Sequence, residues 1–148
     1  MKIELVSDTT DELLEGITRL IPQLKISASS PSREEVIRLI NSDAVSMLIA
    51  RSDNDDIIGM LTLIVYHVPT GTRARIEDVV VDESHRGQGV AVAMVQRALG
   101  IARDKGAEGV ALTSNPRRAA ANRLYQKMGF EKWETNVYYL KFEHPPEF

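Results

Sequence analysis

Hydrophobic and polar positions alternate along this chain in patterns that predict a succession of short elements. They predict a strand at about 2 to 7, a helix from 11 to 21 that ends before Pro22, and a second helix from 32 to 41. The second helix has a marked start, because Ser32 and Glu35 have the spacing of a capping box and Pro31 precedes them.

The middle and the end of the chain are typical of a sheet with interleaved helices. Residues 46 to 51 and 57 to 67 flank an acidic turn and predict an antiparallel hairpin. The next strand, 75 to 82, contains three consecutive valines, which indicates a central strand covered on both faces. A helix at about 89 to 104, a strand at 109 to 114, a helix at 116 to 128 and a strand pair near 131 to 142 follow.

Length, charge and cysteine content narrow the class of protein. A chain of 148 residues has the size of one domain, so we predict a single domain over residues 1–148. The chain has no cysteine, its start alternates like a strand instead of a signal peptide, and its longest apolar run is too short to span a membrane. A net charge of -3 with interspersed signs disfavours nucleic acid. We therefore expect a cytoplasmic protein that binds neither nucleic acid nor membrane.

A glycine-rich turn links the triple-valine strand to the next helix and is the strongest chemical signal. The first N–H groups of a helix are unpaired and carry positive partial charge, so glycines that let a ligand approach them create an anion site. Gly87 and Gly89 could instead serve only a tight turn. Their position between a buried strand and an amphipathic helix favours a site for pyrophosphate, formed by Arg86, Gly87, Gln88, Gly89, Val90 and Ala91.

Two other phosphate-binding motifs do not match this turn. A dinucleotide-binding fingerprint needs a third glycine where Val92 stands, and a Walker-type loop needs a terminal Gly-Lys-Ser/Thr that is absent. Metal binding is also not expected, since the chain lacks cysteine and since His67 and His144 have no ligand spacing.

A second group of residues lies on the helix predicted from 116 to 128. Asn115 before Pro116 is typical of a helix cap, and Arg118, Asn122 and Tyr125 share one polar stripe. Tyr125 could be a core aromatic residue, but its polar neighbours favour a face turned to a polar ligand. Gly129 is predicted to end the helix in a left-handed turn, with Phe130 packing back on it.

Together the two motifs, Arg86-x-x-Gly89-x-Ala91 and Asn122-x-x-Tyr125-x-x-x-Gly129-Phe130, resemble the GNAT superfamily of N-acetyltransferases. The resemblance covers nearly the whole chain in element order, although only residues 75 to 130 carry sharp motifs. The strand from Ile76 to Asp82 is also similar to the glucosamine-6-phosphate N-acetyltransferase branch.

The resemblance implies an α/β fold in which a mixed, mostly antiparallel seven-stranded sheet is splayed between its fourth and fifth strands and flanked by four helices. Acetyl-CoA would be the co-substrate. By analogy, its pantetheine arm pairs with the backbone of Val79, Val80 and Val81, its pyrophosphate binds Gly87 to Ala91, and Asn115 and Asn122 line the arm.

The resemblance also suggests roles in proton transfer. Tyr125 would protonate the departing thiolate, and a backbone N–H of Val79 or Val80 would stabilise the oxyanion. Glu77 is the candidate general base, with Asp78 or a water relay as alternatives. Glu77 could equally pair with Arg75, its neighbour on the same face of the strand.

The sequence thus predicts an acetyl-CoA-dependent N-acetyltransferase that acts on a primary amine of a small molecule, of the amino sugar, amino acid or polyamine type. A protein lysine or N-terminal acetyltransferase and a non-catalytic CoA-binding sensor are the alternatives. The late strands around Tyr138 and Tyr139 could pair with a second subunit, so a homodimer is an expectation.

Overall fold

A computed structural model describes residues 1–25 and 27–143 of the protein. Over these residues it has five strands: β1 (Lys2–Leu5), β2 (Val45–Arg51), β3 (Ile57–Val68), β4 (Gly71–Val81) and β5 (Val110–Ala111). Four α-helices accompany them: α1 (Asp11–Leu24), α2 (Arg33–Asn41), α3 (Val90–Asp104) and α4 (Ala119–Lys127). A short 3-10 turn, Glu83–His85, lies between β4 and α3. The predicted mixed α/β class with four helices is confirmed.

The five strands form one sheet in chain order, β1-β2-β3-β4-β5. The first four pair antiparallel, including the predicted hairpin of β2 and β3, whereas β5 pairs parallel to β4. The parallel ladder joins only Ala74 to Val110 and Arg75 to Ala111. Beyond Arg75 the edge of β4 on the β5 side therefore has no strand beside it among the described residues, as expected for a sheet that splays between its fourth and fifth strands.

Helices cover the sheet on both faces and bury its apolar side chains. On one face α1 and α2 pack on the sheet through a cluster of buried residues: Leu13, Ile17, Leu20, Val36, Met47, Ile49, Ile57, Met60 and Val80. α3 contacts β2, β3 and β4, and Leu61 and Leu63, which alternate with the clustered positions of β3, are completely buried. The sheet is thus the central layer.

The first helix is longer than the sequence predicts. α1 runs through Pro22 to Leu24, and the N–H of Lys25 donates to the carbonyl of Ile21 at 2.9 Å. Proline removes one hydrogen bond from a helix, but Ile21 and Leu24 pack against the core, so the last turn is retained. The predicted end before Pro22 is wrong.

The end of the chain departs from the predicted seven strands. Residues 131–142 form no strand, and the large apolar side chains there are 69% to 88% exposed. Aromatic and β-branched residues raise strand propensity, but a strand also needs a partner ladder and a buried face. Propensity alone therefore placed two strands that the structure does not contain.

The chain divides into two compact units, Met1–Ser114 and Asn115–Phe148. The first contains the sheet and α1 to α3, and the second contains α4.

Candidate active site

β4 is interrupted by a bulge at the point where the candidate acid–base residues lie. Met60 pairs with Val80 and Thr62 pairs with Glu77, so Asp78 and Val79 together oppose the single residue Leu61. Asp78 has a φ of 52°, in the left-handed region that non-glycine residues rarely adopt. In a regular strand the side chains would alternate through Asp78, and the bulge replaces this alternation with a local break.

The register places Glu77 on the face of the sheet that α1 and α2 cover. Thr62 pairs with both Glu77 and Met47, and Met47 belongs to the core under these helices. The Nε of Arg75 lies 3.2 Å from Oε1 of Glu77. The pairing that the sequence offered as one alternative for Glu77 is therefore present, and the remaining carboxylate oxygen keeps its capacity to accept hydrogen bonds.

Asp78 has a different electrostatic environment from Glu77. Partial desolvation, followed by the charge of the adjacent Glu77, raises the pKa of the Asp78 carboxyl above its usual range. Asp78 therefore takes up a proton more readily than an ordinary aspartate.

The valines after the bulge combine a buried strand with an open edge. Val80 and Val81 are buried, and Val79 is half-buried. The ladder to β5 ends at Arg75, so the backbone N–H and C=O groups on that edge beyond it can pair with an extended ligand. The side chains anchor this segment while its backbone stays accessible.

The glycine-rich turn begins with a short, internally bonded segment. Oδ1 of Asp82 accepts hydrogen bonds from the N–H and the hydroxyl of Ser84, at 3.1 and 3.0 Å. Burial disfavours the charged form of Asp82, but the bonds from Ser84 and the charge of Arg19 outweigh it, so the pKa of Asp82 is lowered. The Nε of Arg86 donates to the carbonyl of Val81 at 3.1 Å and ties the turn to the end of β4.

The start of α3 is left uncapped by side chains. Gly89 is the N-cap with a φ of 82°, and no side chain of residues 1–25 and 27–143 makes a capping hydrogen bond to the helix start. The N–H groups of Val90, Ala91 and Val92 therefore have no acceptor within the helix. A Cβ atom built on Gly87 or Gly89 would meet no atom of the described part of the chain within 4 Å, so the space beside both residues is open there. Positive φ values and open space fit an anion such as pyrophosphate.

Helix α1 holds this turn from the side, a contact that sequence reasoning missed. Oε1 of Gln23 accepts the N–H of Glu83 at 2.8 Å, and the Nε of Arg19 lies 3.8 Å from Oδ2 of Asp82. Arg19 and Gln23 are four residues apart on one stripe of the helix. The stripe is visible in the sequence, but its use depends on the extension of α1 beyond Pro22.

In the second unit, Asn115 and Asn122 are joined by a hydrogen bond. The Nδ2 of Asn122 donates to the carbonyls of Asn115 and Arg118, at 2.9 and 3.0 Å. Oδ1 of Asn115 accepts the N–H of Arg117, and its carbonyl accepts the N–H of Arg118. α4 begins only at Ala119, because Arg118 has a non-helical ψ of 67°. The sequence predicts that Asn115 caps a helix from 116. In the structure Asn115 instead closes a turn that precedes the helix.

Tyr125 is held by the C-terminal turn of α4. Gly129 has a φ of 102°, and the N–H of Phe130 donates to the carbonyl of Tyr125 at 3.0 Å, which is the predicted left-handed ending. The rings of Tyr125 and Phe130 meet edge to face with centroids 5.8 Å apart. Burial raises the pKa of the phenol, against the opposing charge of Arg118. The phenol therefore stays protonated at neutral pH.

The predicted site residues fall into two sets, one in each unit. Glu77, the three valines and the glycine-rich turn follow one another along the first unit, while Asn115, Asn122 and Tyr125 lie in the second. In the described part of the chain, no group of three or more His, Cys, Asp or Glu side chains is placed to hold a metal, and His144 lies outside that part. No helix within residues 1–25 and 27–143 has the length and apolarity to cross a membrane.

The known proteins that this chain resembles point to one family. A family model described as the acetyltransferase (GNAT) family matches residues 14–130. Human N-acetyltransferase 8B is 30% identical over 101 residues, which are 67% of this chain and 44% of that protein. The chain spans about half of the length of the curated relatives that it matches, with 35%, 44% and 57% for three of them.

Solved structures share the fold at lower identity. An aminoglycoside acetyltransferase from an uncultured soil metagenomic sample, in complex with trehalose, has a TM-score of 0.81 and 23% identity, covering 95% of this chain and 96% of that one. A ribosomal-protein-alanine N-acetyltransferase from Brucella melitensis has a TM-score of 0.76 and 18% identity, covering 96% and 100%.

Proposed function

Because the chain belongs to the GNAT family of acetyltransferases, we propose that it transfers the acetyl group of acetyl-CoA to a primary amine of a small molecule. The acceptor is of the amino sugar, amino acid or polyamine type. The observation that carries the proposal is a pair of neighbouring features: the glycine-opened start of α3, which no side chain of the described residues caps, and the edge of the preceding strand, which has no strand beside it beyond Arg75 among those residues. Acetyl-CoA supplies an activated acetyl group, and the residues of the chain bind it and move protons.

Binding of acetyl-CoA is assigned to the backbone of two consecutive segments. The N–H groups from Gly87 to Ala91 bind the pyrophosphate, and the backbone of Val79 to Val81 pairs with the pantetheine arm. The open space beside Gly87 and Gly89 supports the first assignment, and the unpaired edge of β4 supports the second. Asn122 is assigned to the arm because it belongs to the motif that resembles the family, and Asn115 is assigned by the same analogy and is hydrogen-bonded to Asn122.

Two proton transfers accompany attack of the amine on the thioester carbonyl. The amine is mostly protonated at neutral pH and must lose a proton, and the departing thiolate must gain one. Tyr125 donates the second proton, because its phenol carries a proton at neutral pH. Glu77 accepts the first, directly or through water, and Asp78 is the other candidate. The N–H of Val79 or Val80 donates to the oxyanion.

Glu77→Gln and Asp78→Asn separate the candidate bases. Loss of the true base should lower kcat by more than tenfold, with most of the loss at neutral pH, where the base must accept a proton. The other substitution should leave kcat within about threefold. Equal retention of kcat in both variants would leave only a water relay that needs neither carboxylate.

Two other functions are kept as alternatives. The structural likeness to a ribosomal-protein-alanine N-acetyltransferase favours a protein acceptor as the second enzymatic candidate. A CoA-binding sensor without turnover is the third. The presence of Tyr125 together with the open start of α3 supports an active enzyme over a sensor.

The deciding experiment combines an activity assay with a binding measurement. Thiol release from acetyl-CoA is followed with glucosamine 6-phosphate, amino acids, polyamines and a lysine peptide, and CoA is titrated by calorimetry. Turnover with a small amine supports the proposal, and turnover with the peptide alone supports a protein acceptor. CoA binding without turnover supports the sensor, and absence of CoA binding overturns all three.

A further inference from the structure

The two faces of the sheet at β3 and β4 differ in how far their side chains are buried. On the face of α3, Leu61, Leu63, Ala74 and Ile76 are buried. On the other face, the pairs Thr62–Glu77, Ile64–Arg75 and Tyr66–Arg73 lie side by side in the ladder. We call these six residues the charged shelf. Five of them are half-buried and Arg73 is exposed, so this part of the sheet is accessible where the α3 face is closed.

The charged shelf adjoins the part of the sheet that α1 and α2 cover. Met47 pairs with Thr62 and belongs to the core under these helices, so the shelf begins where that core ends. Apolar surface is also present on it, because Ile64 and Tyr66 alternate with the buried residues of β3. A small molecule on the shelf would have an apolar floor with charged groups along β4.

The charges on β4 follow a definite order. Arg73, Arg75 and Glu77 occupy alternate positions, and successive ones are about 7 Å apart along the strand. The contact between Arg75 and Glu77 uses one of the five donors of Arg75, and a guanidinium can bind an oxyanion through two donors at once. The row carries a net charge of about +1, from two guanidinium groups and one carboxylate.

The negative end of this row lies next to the proposed chemistry. Glu77 directly precedes the bulge, and the segment after the bulge is the one assigned to acetyl-CoA. An amine at Glu77 would therefore face the thioester, with the rest of the acceptor extending toward Arg75 and Arg73. A polyamine would place further positive charges against these two arginines, whereas an anionic group would be attracted to them.

We propose that the charged shelf binds the acceptor, and that the acceptor is an amine that also carries an oxyanion group, either a carboxylate or a phosphate. This inference rests on the proposed acetyl transfer. It narrows the acceptor class, because neutral amines and polyamines lack the group that Arg75 and Arg73 recognise.

Matched pairs of acceptors test the inference. Phenylalanine is compared with 2-phenylethylamine, which lacks the carboxylate, and glucosamine 6-phosphate is compared with glucosamine. In at least one pair the anionic member should have a kcat/KM at least tenfold higher, through a lower KM for the acceptor. The pair with the larger ratio tells whether the group is a carboxylate or a phosphate. Equal or reversed ratios in both pairs, or a preference for spermidine, overturn the inference.

Substitutions at Arg75 test whether the shelf causes the preference. Arg75→Gln should remove most of the ratio by raising the KM of the anionic acceptor, with the KM for acetyl-CoA unchanged. Arg75→Lys should keep part of it, since the charge remains without the planar fork. Arg103→Gln is the matched control, because Arg103 is exposed in the last turn of α3 and should change nothing. An equal fall of kcat with both members of a pair would mean that Arg75 acts only through Glu77.

A binding measurement keeps the inference testable if acetyl transfer itself is absent. The same pairs are titrated into the CoA-loaded protein by calorimetry, with and without Arg75→Gln. Preferential binding of an anionic member that depends on Arg75 supports the shelf even without turnover. Turnover of neutral amines with no such preference overturns the shelf and leaves acetyl transfer intact.

Discussion

Helices α2 and α3 begin in opposite ways. At the start of α2, Oγ of Ser32 accepts the N–H of Glu35, and the Glu35 carboxylate accepts the N–H of Ser32, so side chains of the helix satisfy its own amides. At the start of α3, Gly89 provides no side chain and the first amides stay available. The first arrangement stabilises the fold, and the second gives up that stabilisation for a place where an anion can bind. The comparison separates residues that support folding from residues that support binding.

A substitution that blocks the open start of α3 should weaken CoA binding, and this effect should be the largest of those predicted. Gly89→Asp introduces a carboxylate beside the proposed pyrophosphate site, and repulsion between these charges is on the order of 3 kcal/mol near a protein surface. We expect the Kd for CoA to rise by more than about a hundredfold, measured by calorimetric titration. Gly89→Asn has the same shape without the charge and should lose about tenfold or less. Equal losses in both variants would assign the effect to the backbone, and unchanged affinity would refute the site.

Removal of the phenol of Tyr125 should separate binding from chemistry. Tyr125→Phe keeps the ring that packs on Phe130 and removes the proton donor, so kcat should fall by about a hundredfold. The Kd for CoA should change by less than about twofold, in contrast to Gly89→Asp. Unchanged turnover in steady-state assays would reject the role of Tyr125 as the acid.

The hydrogen bond from Gln23 of α1 should contribute less to the affinity for acetyl-CoA than the open start of α3 does. Gln23→Ala removes the acceptor of the Glu83 N–H, and one such hydrogen bond contributes about 1 kcal/mol. We expect the KM for acetyl-CoA to rise by about threefold to tenfold with little change in kcat. Gln96→Ala, on the exposed side of α3, is the control. A fall in kcat with unchanged KM would place the effect of Gln23 elsewhere.

A substitution at the start of α2 should lower the free energy of unfolding and leave CoA binding unchanged. Ser32→Ala removes the cap and should lower the free energy of unfolding by about 1 kcal/mol in urea denaturation. The Kd for CoA should be unchanged, because the amides at this helix start are satisfied by Ser32 and Glu35 and have no part in the proposed CoA site. A weaker affinity for CoA in this variant would blur the distinction between the two helix starts.

The capping box of α2 and the hairpin of β2 and β3 were predictable because their signals are local. Ser32 and Glu35 interact at a fixed spacing, and the acidic turn between the strands interrupts two apolar runs. The end of α4 at Gly129 was predictable for the same reason, since only its own turn decides it.

Features that depend on packing could not be read from the sequence. The bulge at Asp78 arises from the register of β4 on β3, and nothing near Asp78 in the sequence marks it. The run of α1 through Pro22 depends on burial of Ile21 and Leu24, which outweighs the lost hydrogen bond. The alternation of Arg73, Arg75 and Glu77 is visible in the sequence, but only the packing of α1, α2 and α3 tells which face stays accessible.

The bulge at Asp78 lies between the two ends of β4 and does not change which face either end presents. Because Asp78 and Val79 together oppose Leu61, deletion of one of them would restore one-to-one pairing and keep Glu77 and Val80 on the face that they now share. What the deletion would remove is the local bend and the extra twist that a bulge gives to its strand, and with them the angle between residues 71–77 and residues 79–81. With the bulge in place, selection or design can change residues 71–77 to recognise a new acceptor and leave residues 79–81 unchanged for a common acyl donor.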